Sequence, residues 1–422
     1  MVTIFIFLVL LLISTPIAAA LGLTSIYAVL QAGNSLDNVA RTMFAGIDSF
    51  SLMAIPFFIF AGDLMLAGGT SKRLIEMARK LVGWTTGGLP IAGVISSMFF
   101  AALSGSSPAT VAAIGGVMIP SLRDSGYSGR FSVGLMCAAG SLGIIIPPSI
   151  TLLVYGVIAE VSISELFMAG VIPGLFIGLS LIVVSYYIAK KEGHTPDKKP
   201  HIKEVAVAVK NAVWGIFMPL IVLGGIYFGI FTPTEAAVVA IVYSLLIGFF
   251  IYRELNLKTL FAVTKRSVVI ASMVMLVISS AKVFSWYLTM EQIPNQIAST
   301  ILEVAENPVL IILLITAVLL VVGMFMDPSA AVLVMAPLFL PMVMEIGISP
   351  VHFGIIMIVN LAIGMLTPPF GLNLFVAAGI SDLPLTSVIK GTIPFIFVLI
   401  ITLLIITFVP PLSTLLPSMI YD

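Results

Sequence analysis

Residues 140–153 read GSLGIIIPPSITLL, and residues 361–374 read LAIGMLTPPFGLNL. The two stretches align at a shift of 221 residues, which places Gly143 on Gly364 and Pro147–Pro148 on Pro368–Pro369. The shift also pairs Pro120 with Pro341, Gly126 with Gly347, Gly170 with Gly391 and Pro173 with Pro394. Because the match of glycines and prolines extends over more than fifty residues, it indicates an internal duplication.

The chain around these stretches is strongly apolar. Of its 422 residues, 60% are apolar and 9% are charged, and the mean hydropathy is +1.22. Soluble proteins carry about 25% charged residues, so this composition indicates an integral membrane protein in a lipid bilayer. The net charge of zero argues against nucleic-acid partners. The single cysteine, Cys137, excludes an intramolecular disulfide framework and a cysteine-ligated metal centre.

Charge-free windows long enough to cross a bilayer, about 20 residues, fill most of the chain. We place nine spans near residues 3–30, 49–67, 131–159, 166–189, 212–231, 235–252, 267–288, 350–379 and 389–410. Two further windows, 81–122 and 307–344, are too long for one helix and contain Gly, Ser and Pro at their centres. A cleaved secretory signal is the alternative for the first window, which lacks a positive start.

The distribution of basic residues favours a hairpin for residues 81–122. Lys and Arg collect in cytoplasmic loops. If this window enters the membrane and returns, 17 of the 19 basic residues lie on one side. The window 307–344 then dips in from the opposite face, with the N-terminus cytoplasmic and the C-terminus external. Five crossings separate the two hairpins, so the two copies are predicted to be inverted.

The predicted fold is an all-α polytopic membrane protein with inverted repeats, two re-entrant hairpins and two discontinuous helices. We assign residues 1–189 to the first repeat, 190–211 to a cytoplasmic linker, 212–231 to a connecting helix and 235–422 to the second repeat. The first repeat comprises scaffold helices 3–30 and 49–67, interfacial helix 70–82, hairpin 83–120, broken helix 131–159 and helix 166–189. The second comprises hairpin 307–344, broken helix 350–379 and helix 389–410. Residues 291–305 are predicted to form an interfacial helix that matches 70–82.

The two hairpin tips and the breaks in the two discontinuous helices are four interruptions of regular helix, at residues 103–110, 143–149, 323–329 and 364–369. We expect ligands to bind at these positions. Non-helical backbone inside a bilayer is tolerated only where protein or water covers it, so its amide and carbonyl groups are available as ligands. A Pro-Pro pair leaves the carbonyls of the preceding turn free, which are hard oxygen ligands for a small cation such as sodium. The helix that restarts at a hairpin tip offers amides and a positive dipole end to a carboxylate. Packing kinks between helices are the alternative for any single interruption.

Polar side chains near the interruptions extend this prediction. Ser106, Ser107, Ser149 and Thr151 offer hydroxyl groups. Among the charged residues inside the membrane, Asp327 is the strongest candidate for a functional role, because it lies at the second hairpin tip. Asp63 and Lys282 are the other intramembrane charges, for which contact with the membrane interface is the simpler interpretation.

Several motifs, taken together, resemble the large membrane subunit of tripartite ATP-independent periplasmic (TRAP) transporters, the DctM-type permease. They are Pro56–Met65, Ser104–Thr110, Ile146–Ser149, Phe231–Ala237, Met326–Pro328 and Leu366–Pro369. The resemblance covers nearly the whole chain. It implies a secondary transporter that is driven by sodium and is not an enzyme. The implied mechanism is the elevator type found in the ion transporter superfamily, and no cofactor is implied.

The resemblance also implies sites and partners. One sodium ion would lie among Ser104, Ser106, Gly143, Ile146 and Pro147, and a second among Gly323, Gly364, Thr367 and Pro368. An organic acid, such as a C4-dicarboxylate or sialic acid, would bind near Ser106, Thr151 and Asp327. The implied partners are a small four-helix membrane subunit and a periplasmic substrate-binding protein, and the implied location is the bacterial inner membrane, with the C-terminus in the periplasm.

Two other functions are compatible with parts of the sequence. One is an ion-coupled exporter or exchanger of the same architecture that needs no binding protein. The other, more remote, is an intramembrane protease built on Ser106, Asp63 and Asp327. No histidine falls in a predicted span opposite Ser106, and the aspartates lack a paired motif.

Overall fold

The computed structural model describes residues 2–13, 15–192, 194, 198–293, 296 and 307–421. These residues form helices and connecting loops, with no β-strand among them. The helices of the first half are Val2–Leu12, Ile17–Gln31, Leu36–Ile47, Ala54–Ala67, Thr70–Val82, Gly88–Ser104, Ser107–Thr110, Gly116–Asp124, Gly129–Gly140, Ile150–Ile158 and Ile163–Glu192. Those of the second half are Ile202–Tyr227, Pro233–Leu246, Leu257–Met290, Pro308–Phe325, Pro328–Glu345, Pro350–Gly364, Leu372–Ser381, Leu385–Phe408 and Pro411–Tyr421.

The chain is a multi-pass membrane protein. Within the described residues, eight helices are long and apolar enough to cross a bilayer. Large apolar side chains on their outer faces are open to the surroundings, such as Phe261 at 74% and Phe397 at 64% exposure. A water-soluble protein does not expose apolar side chains on this scale, so these faces are suited to contact lipid.

Four segments of the chain are interrupted. The first helix pair (residues 88–124) and the second helix pair (308–345) each turn back at a short tip. The first discontinuous helix (129–158) and the second (350–381) are each interrupted by a loop, at 145–149 and 365–371. Their first halves are buried at nearly every position, which fits their apolar character on all sides.

The two halves of the chain pack against each other through the discontinuous helices. Helix Leu385–Phe408 packs on Gly129–Gly140, and helix Ile163–Glu192 packs on Pro350–Gly364. Outside them, Ala54–Ala67 and Ile17–Gln31 pack on Leu257–Met290, and Pro233–Leu246 packs on Ala54–Ala67. We call this outer group the scaffold helices.

The observed helix bounds differ from the predicted ones at several positions. Residues 3–30 form two helices, because Pro16 lacks the amide that would continue the first one. The connecting helix begins at Ile202, ten residues before the predicted start, because charged Lys203, Glu204 and Lys210 are good helix formers even though they end an apolar window. The helix pairs occupy 88–124 and 308–345, where 83–120 and 307–344 were predicted.

Other differences concern additional helices and the length of one scaffold helix. Leu36–Ile47 and Pro411–Tyr421 are helices that hydropathy did not indicate. Helix Leu257–Met290 extends beyond the predicted span 267–288. The predicted interfacial helix 291–305 lies almost entirely outside the described residues, whereas its counterpart at 70–82 is helical, as Thr70–Val82.

Candidate functional site

The first tip joins the two helices of the first pair and is rich in oxygen atoms. Gly105 ends the first helix in the left-handed conformation, with φ of 58°, and Ser106 is extended before the chain restarts at Ser107. The Ser104 and Thr110 hydroxyl oxygens lie 2.9 Å apart. Thr110 Oγ1 also donates to the Ser106 carbonyl at 2.9 Å. The tip thus gathers two hydroxyl oxygens and one carbonyl oxygen.

The loop of the first discontinuous helix lies against this tip. Gly105 O accepts a hydrogen bond from Ile150 N at 3.3 Å. A methyl group on Gly143 would collide with the Ser106 carbonyl and would lie 2.7 Å from Thr110 Oγ1. Only glycine therefore fits at position 143, and its backbone closes one side of the oxygen cluster.

The second tip has a related construction. Asp327 caps the restarting helix, since its Oδ1 accepts a hydrogen bond from Ser329 N at 2.9 Å. The backbones of Gly323 and Gly364 touch, because a methyl group on Gly323 would lie 3.1 Å from Gly364 Cα. Met324 O accepts a hydrogen bond from Gly371 N at 3.2 Å. Each tip is therefore hydrogen-bonded to the segment that follows a Pro-Pro pair.

The contacts at the two tips follow the sequence repeat. Gly143 and Gly364, which make the two close approaches, are 221 positions apart, and so are the amide donors Ile150 and Gly371. The peptide bonds Pro147–Pro148 and Pro368–Pro369 are both cis. The duplication seen in the sequence therefore corresponds to two tip-and-loop contacts of the same kind.

The structure brings together only part of each residue set assigned to sodium. Ser104, Ser106 and Gly143 meet at the first tip, and Gly323 and Gly364 meet at the second. The Ile146 amide donates to Leu142 O, and Pro147 lies beside Gly170 of helix Ile163–Glu192. Thr367 Oγ1 donates to Ile363 O at 2.9 Å within its own helix turn. Pro368 lies three residues before Gly371, whose amide donates a hydrogen bond to the second tip.

The residues assigned to the substrate have different surroundings. Ser106 is half-buried and lines a cavity described below. Ser149 is buried and caps the following helix, with its hydroxyl donating to Ile144 O at 2.7 Å. Thr151 is buried, and Asp327 is exposed. Ser107 is fully buried and accepts a hydrogen bond from Asn373 Nδ2 at 2.7 Å.

A cavity of about 350 Å³ lies between the first tip and the scaffold helices. Its lining includes Ser104 and Ser106 but neither Thr151 nor Asp327. The other lining residues are Ile59, Gly62, Asp63, Leu66, Phe100, Pro108, Ala109, Ala112, Ile150, Arg266, Ile270 and Val376. The cavity is therefore mostly apolar, with two hydroxyl groups, one carboxylate and one guanidinium.

Four residues at or near the tips were not predicted as site residues from the sequence. Thr110 was named only as the end of the Ser104–Thr110 motif and not as a site residue, although its spacing of four from Ser106 allows the observed bond to that carbonyl. Asn373 and Arg266 carry no local signal, since each meets the first tip only through tertiary packing. Asn360 is fully buried, and its Oδ1 has no partner among the described residues.

Comparison with known proteins identifies relatives over nearly the full length. The profile of the family described as "Tripartite ATP-independent periplasmic transporter, DctM component" matches residues 4–412. The chain is 44% identical over 400 residues to the C4-dicarboxylate TRAP transporter large permease protein DctM of Pseudomonas aeruginosa, with 94% of each chain covered.

Two further relatives are named for other substrates. The 2,3-diketo-L-gulonate TRAP transporter large permease protein YiaN of Escherichia coli is 37% identical over 402 residues, covering 93% of this chain and 95% of that one. The sialic acid TRAP transporter large permease protein SiaM of Vibrio cholerae is 37% identical over 393 residues, covering 93% and 92%.

A solved structure shares the architecture. The YdaH transporter of Alcanivorax borkumensis superposes with a TM-score of 0.65 over 90% of each chain, at 14% sequence identity, so the likeness concerns the fold alone. The family profile and the relatives at 37–44% identity show that this chain belongs to the DctM family, as a TRAP transporter large permease that moves solutes and is not an enzyme.

Proposed function

We propose that this permease uses a sodium gradient to take up an organic acid delivered by a periplasmic binding protein. The observation that carries the proposal is the pair of tip-and-loop contacts, in which Gly143 and Gly364 close on the first and second tips. Interrupted helices at matching positions of two repeats are the best sequence pointer to the binding site of a secondary transporter.

Sodium is the coupling ion in this proposal. The first site consists of Ser104, Ser106 and Gly143, with Ile146 and Pro147 in the adjoining loop, and Thr110 joins it because its hydroxyl lies in the same oxygen cluster. The second site consists of Gly323, Gly364, Thr367 and Pro368. Hydroxyl and carbonyl oxygens are hard ligands of the kind that bind alkali and alkaline-earth cations.

The transported acid binds beside the first tip. Ser106 faces the cavity from the tip. Thr151 and Asp327, which lie outside the wall of this cavity, complete the proposed substrate group. Relatives named for C4-dicarboxylate, sialic acid and 2,3-diketo-L-gulonate support an organic carboxylate as the substrate class. The hydroxyl groups of Ser107 and Ser149 hold the tip and the restarting helix in place.

The movement follows from the grouping of helices. In our proposal the two helix pairs are re-entrant hairpins that move, together with the discontinuous helices, past the scaffold helices as an elevator. The cavity lies at the boundary between these groups, since its walls come from both. Such motion would carry the site from one face of the membrane to the other.

The family is tripartite, so the partners are a small membrane subunit and a periplasmic binding protein. The proposed location is the bacterial inner membrane, with the N-terminus in the cytoplasm. The basic clusters at residues 72–80 and 253–266 then lie in the cytoplasm, as the positive-inside rule requires.

Reconstitution in liposomes tests this proposal. The permease is purified with its small subunit, supplied with its binding protein, and offered labelled succinate, sialic acid and 2,3-diketogulonate under an inward sodium gradient. We expect accumulation of at least one acid that stops when the gradient is collapsed. Equal uptake without a gradient would refute sodium coupling. Uptake that needs no binding protein would favour the exporter or exchanger alternative.

A further inference from the structure

Arg266 places a guanidinium in the wall of the cavity beside the first tip. It lies on helix Leu257–Met290, and its side chain is exposed. It forms no hydrogen bond or ion pair with any of the described residues. Arg73 and Lys80, by contrast, pair with Glu254 at 2.6 Å and with Glu204 at 2.5 Å.

The one carboxylate in the cavity wall is already engaged. Asp63 Oδ2 accepts a hydrogen bond from the Ser267 hydroxyl at 2.7 Å. Ser267 is the next residue to Arg266 and lies on the same helix. Among the described residues Asp63 and Arg266 form no ion pair, although both line the same cavity.

The remaining lining explains what a free guanidinium does here. Ser104 and Ser106 are the only hydroxyl groups among the lining residues, and most of the rest are apolar. A guanidinium presents a planar fork of N–H donors that matches a carboxylate or sulfonate in a bidentate manner.

We propose that Arg266 binds the acid group of the transported substrate at the scaffold wall of this cavity, while Ser106 contacts the same substrate from the tip. The inference rests on the proposed function, because it takes an organic anion as the substrate. It adds a cationic subsite on a scaffold helix, outside all four interruptions of the chain. The acid group would remain on this wall while the tip releases the rest of the molecule.

The test compares Arg266→Gln, Arg266→Lys and Lys265→Gln in the reconstituted transporter. Lys265 is exposed, adjacent, and not part of the cavity wall, so it controls for loss of one cytoplasmic charge. We expect Arg266→Gln to raise KM for the acid about tenfold or more, since a charge-assisted pair is lost. Arg266→Lys should recover part of the affinity, and the sodium dependence of uptake should persist in all three variants.

A chemical rescue separates the role of charge from that of fold. The chain has one cysteine, Cys137, which is fully buried. In Arg266→Cys, a positively charged thiosulfonate reagent should restore uptake, whereas a negatively charged one should not, and substrate should slow both reactions. To test whether a lipid phosphate occupies Arg266 instead, the KM of the unsubstituted chain and of Arg266→Gln is measured in vesicles with and without anionic lipid.

The outcomes are distinct for the two proposals. If the unsubstituted transporter shows no sodium-driven uptake, the proposed function fails. If it does transport, an unchanged KM in Arg266→Gln, or equal rescue by both reagents, overturns the assignment of Arg266 alone. A KM difference between the unsubstituted chain and Arg266→Gln that appears only in vesicles lacking anionic lipid would assign the guanidinium to a lipid phosphate and also overturn it.

Discussion

The Asn373 side-chain amide donates a hydrogen bond to Ser107 Oγ at 2.7 Å, between residues 266 positions apart in the sequence. Both side chains are fully buried. Ser107 begins the return helix of the first tip, and Asn373 lies at the restart of the second discontinuous helix. This single bond therefore links the first repeat directly to the second at the proposed site.

The coupling of these two residues is measurable. Asn373→Ala and Ser107→Ala should each reduce the free energy of unfolding by about 1–3 kcal/mol, because each leaves a buried polar group without its partner. The double variant should cost less than the sum of the two, as expected for residues in direct contact. Denaturation of the detergent-solubilised permease checks this, and strictly additive losses would contradict the bond.

The close approaches at the tips predict severe effects of a single methyl group. Gly143→Ala and Gly364→Ala should abolish sodium-driven uptake, or raise the half-saturating sodium concentration about tenfold, because each methyl group collides with the tip backbone. Gly116→Ala and Gly379→Ala are matched controls, since a methyl group at either position meets nothing within 4 Å. Sodium titration of uptake compares the four variants, and equal behaviour would refute the packing argument.

Thr110 provides a test of the first oxygen cluster. Thr110→Val keeps the shape but removes the hydroxyl that bonds Ser106 O and approaches Ser104 Oγ, so sodium affinity should fall several-fold. Thr110→Ser should restore it. Thr402→Val is the control, because Thr402 is also buried but bonds only a carbonyl of its own helix. A similar sodium dependence in Thr110→Val and Thr402→Val would remove Thr110 from the site.

The contact of Gly69 with the Arg73–Glu254 ion pair, which lies outside the site, can also be tested by adding a methyl group. Gly69 has a φ of 77°, and a methyl group there would collide with Glu254, which pairs with Arg73 at 2.6 Å. Arg73 also stacks on Tyr252, 3.9 Å from the ring centre. Gly69→Ala should lower the melting temperature more than Gly33→Ala, whose φ is 72° and whose added methyl group meets nothing within 4 Å. Equal melting temperatures of the two variants would contradict the prediction, because they would show that the contact between Gly69 and Glu254 tolerates a methyl group.

The local chemistry of the interruptions could be predicted from the sequence. Gly143, Gly364 and the two Pro-Pro pairs constrain the backbone where they stand, so their positions indicate where helices break. Helix ends were less predictable, because an apolar window ends at the first charged residue whereas the helix can continue through it. The helix Ile202–Tyr227 continues through Lys203 and Glu204 for that reason.

The partners of distant side chains could not be predicted in this way. Asn373 and Arg266 stand in ordinary helical sequence, and their importance depends on which helices pack against the first tip. Contact with the membrane interface was the simpler interpretation of Asp63, and nothing in the sequence indicated its bond to Ser267, 204 positions away. Such contacts follow from tertiary packing, on which spacing within one helix gives no information.

The most direct measurement is the joint flux of sodium and acid in proteoliposomes that contain the permease, its small subunit and its binding protein. Radioactive sodium and labelled acid are counted in the same vesicles for the unsubstituted chain and for Gly143→Ala and Gly364→Ala. We predict that sodium enters with the acid, and that either substitution suppresses both fluxes together. Acid uptake at the full rate without sodium entry would contradict the account.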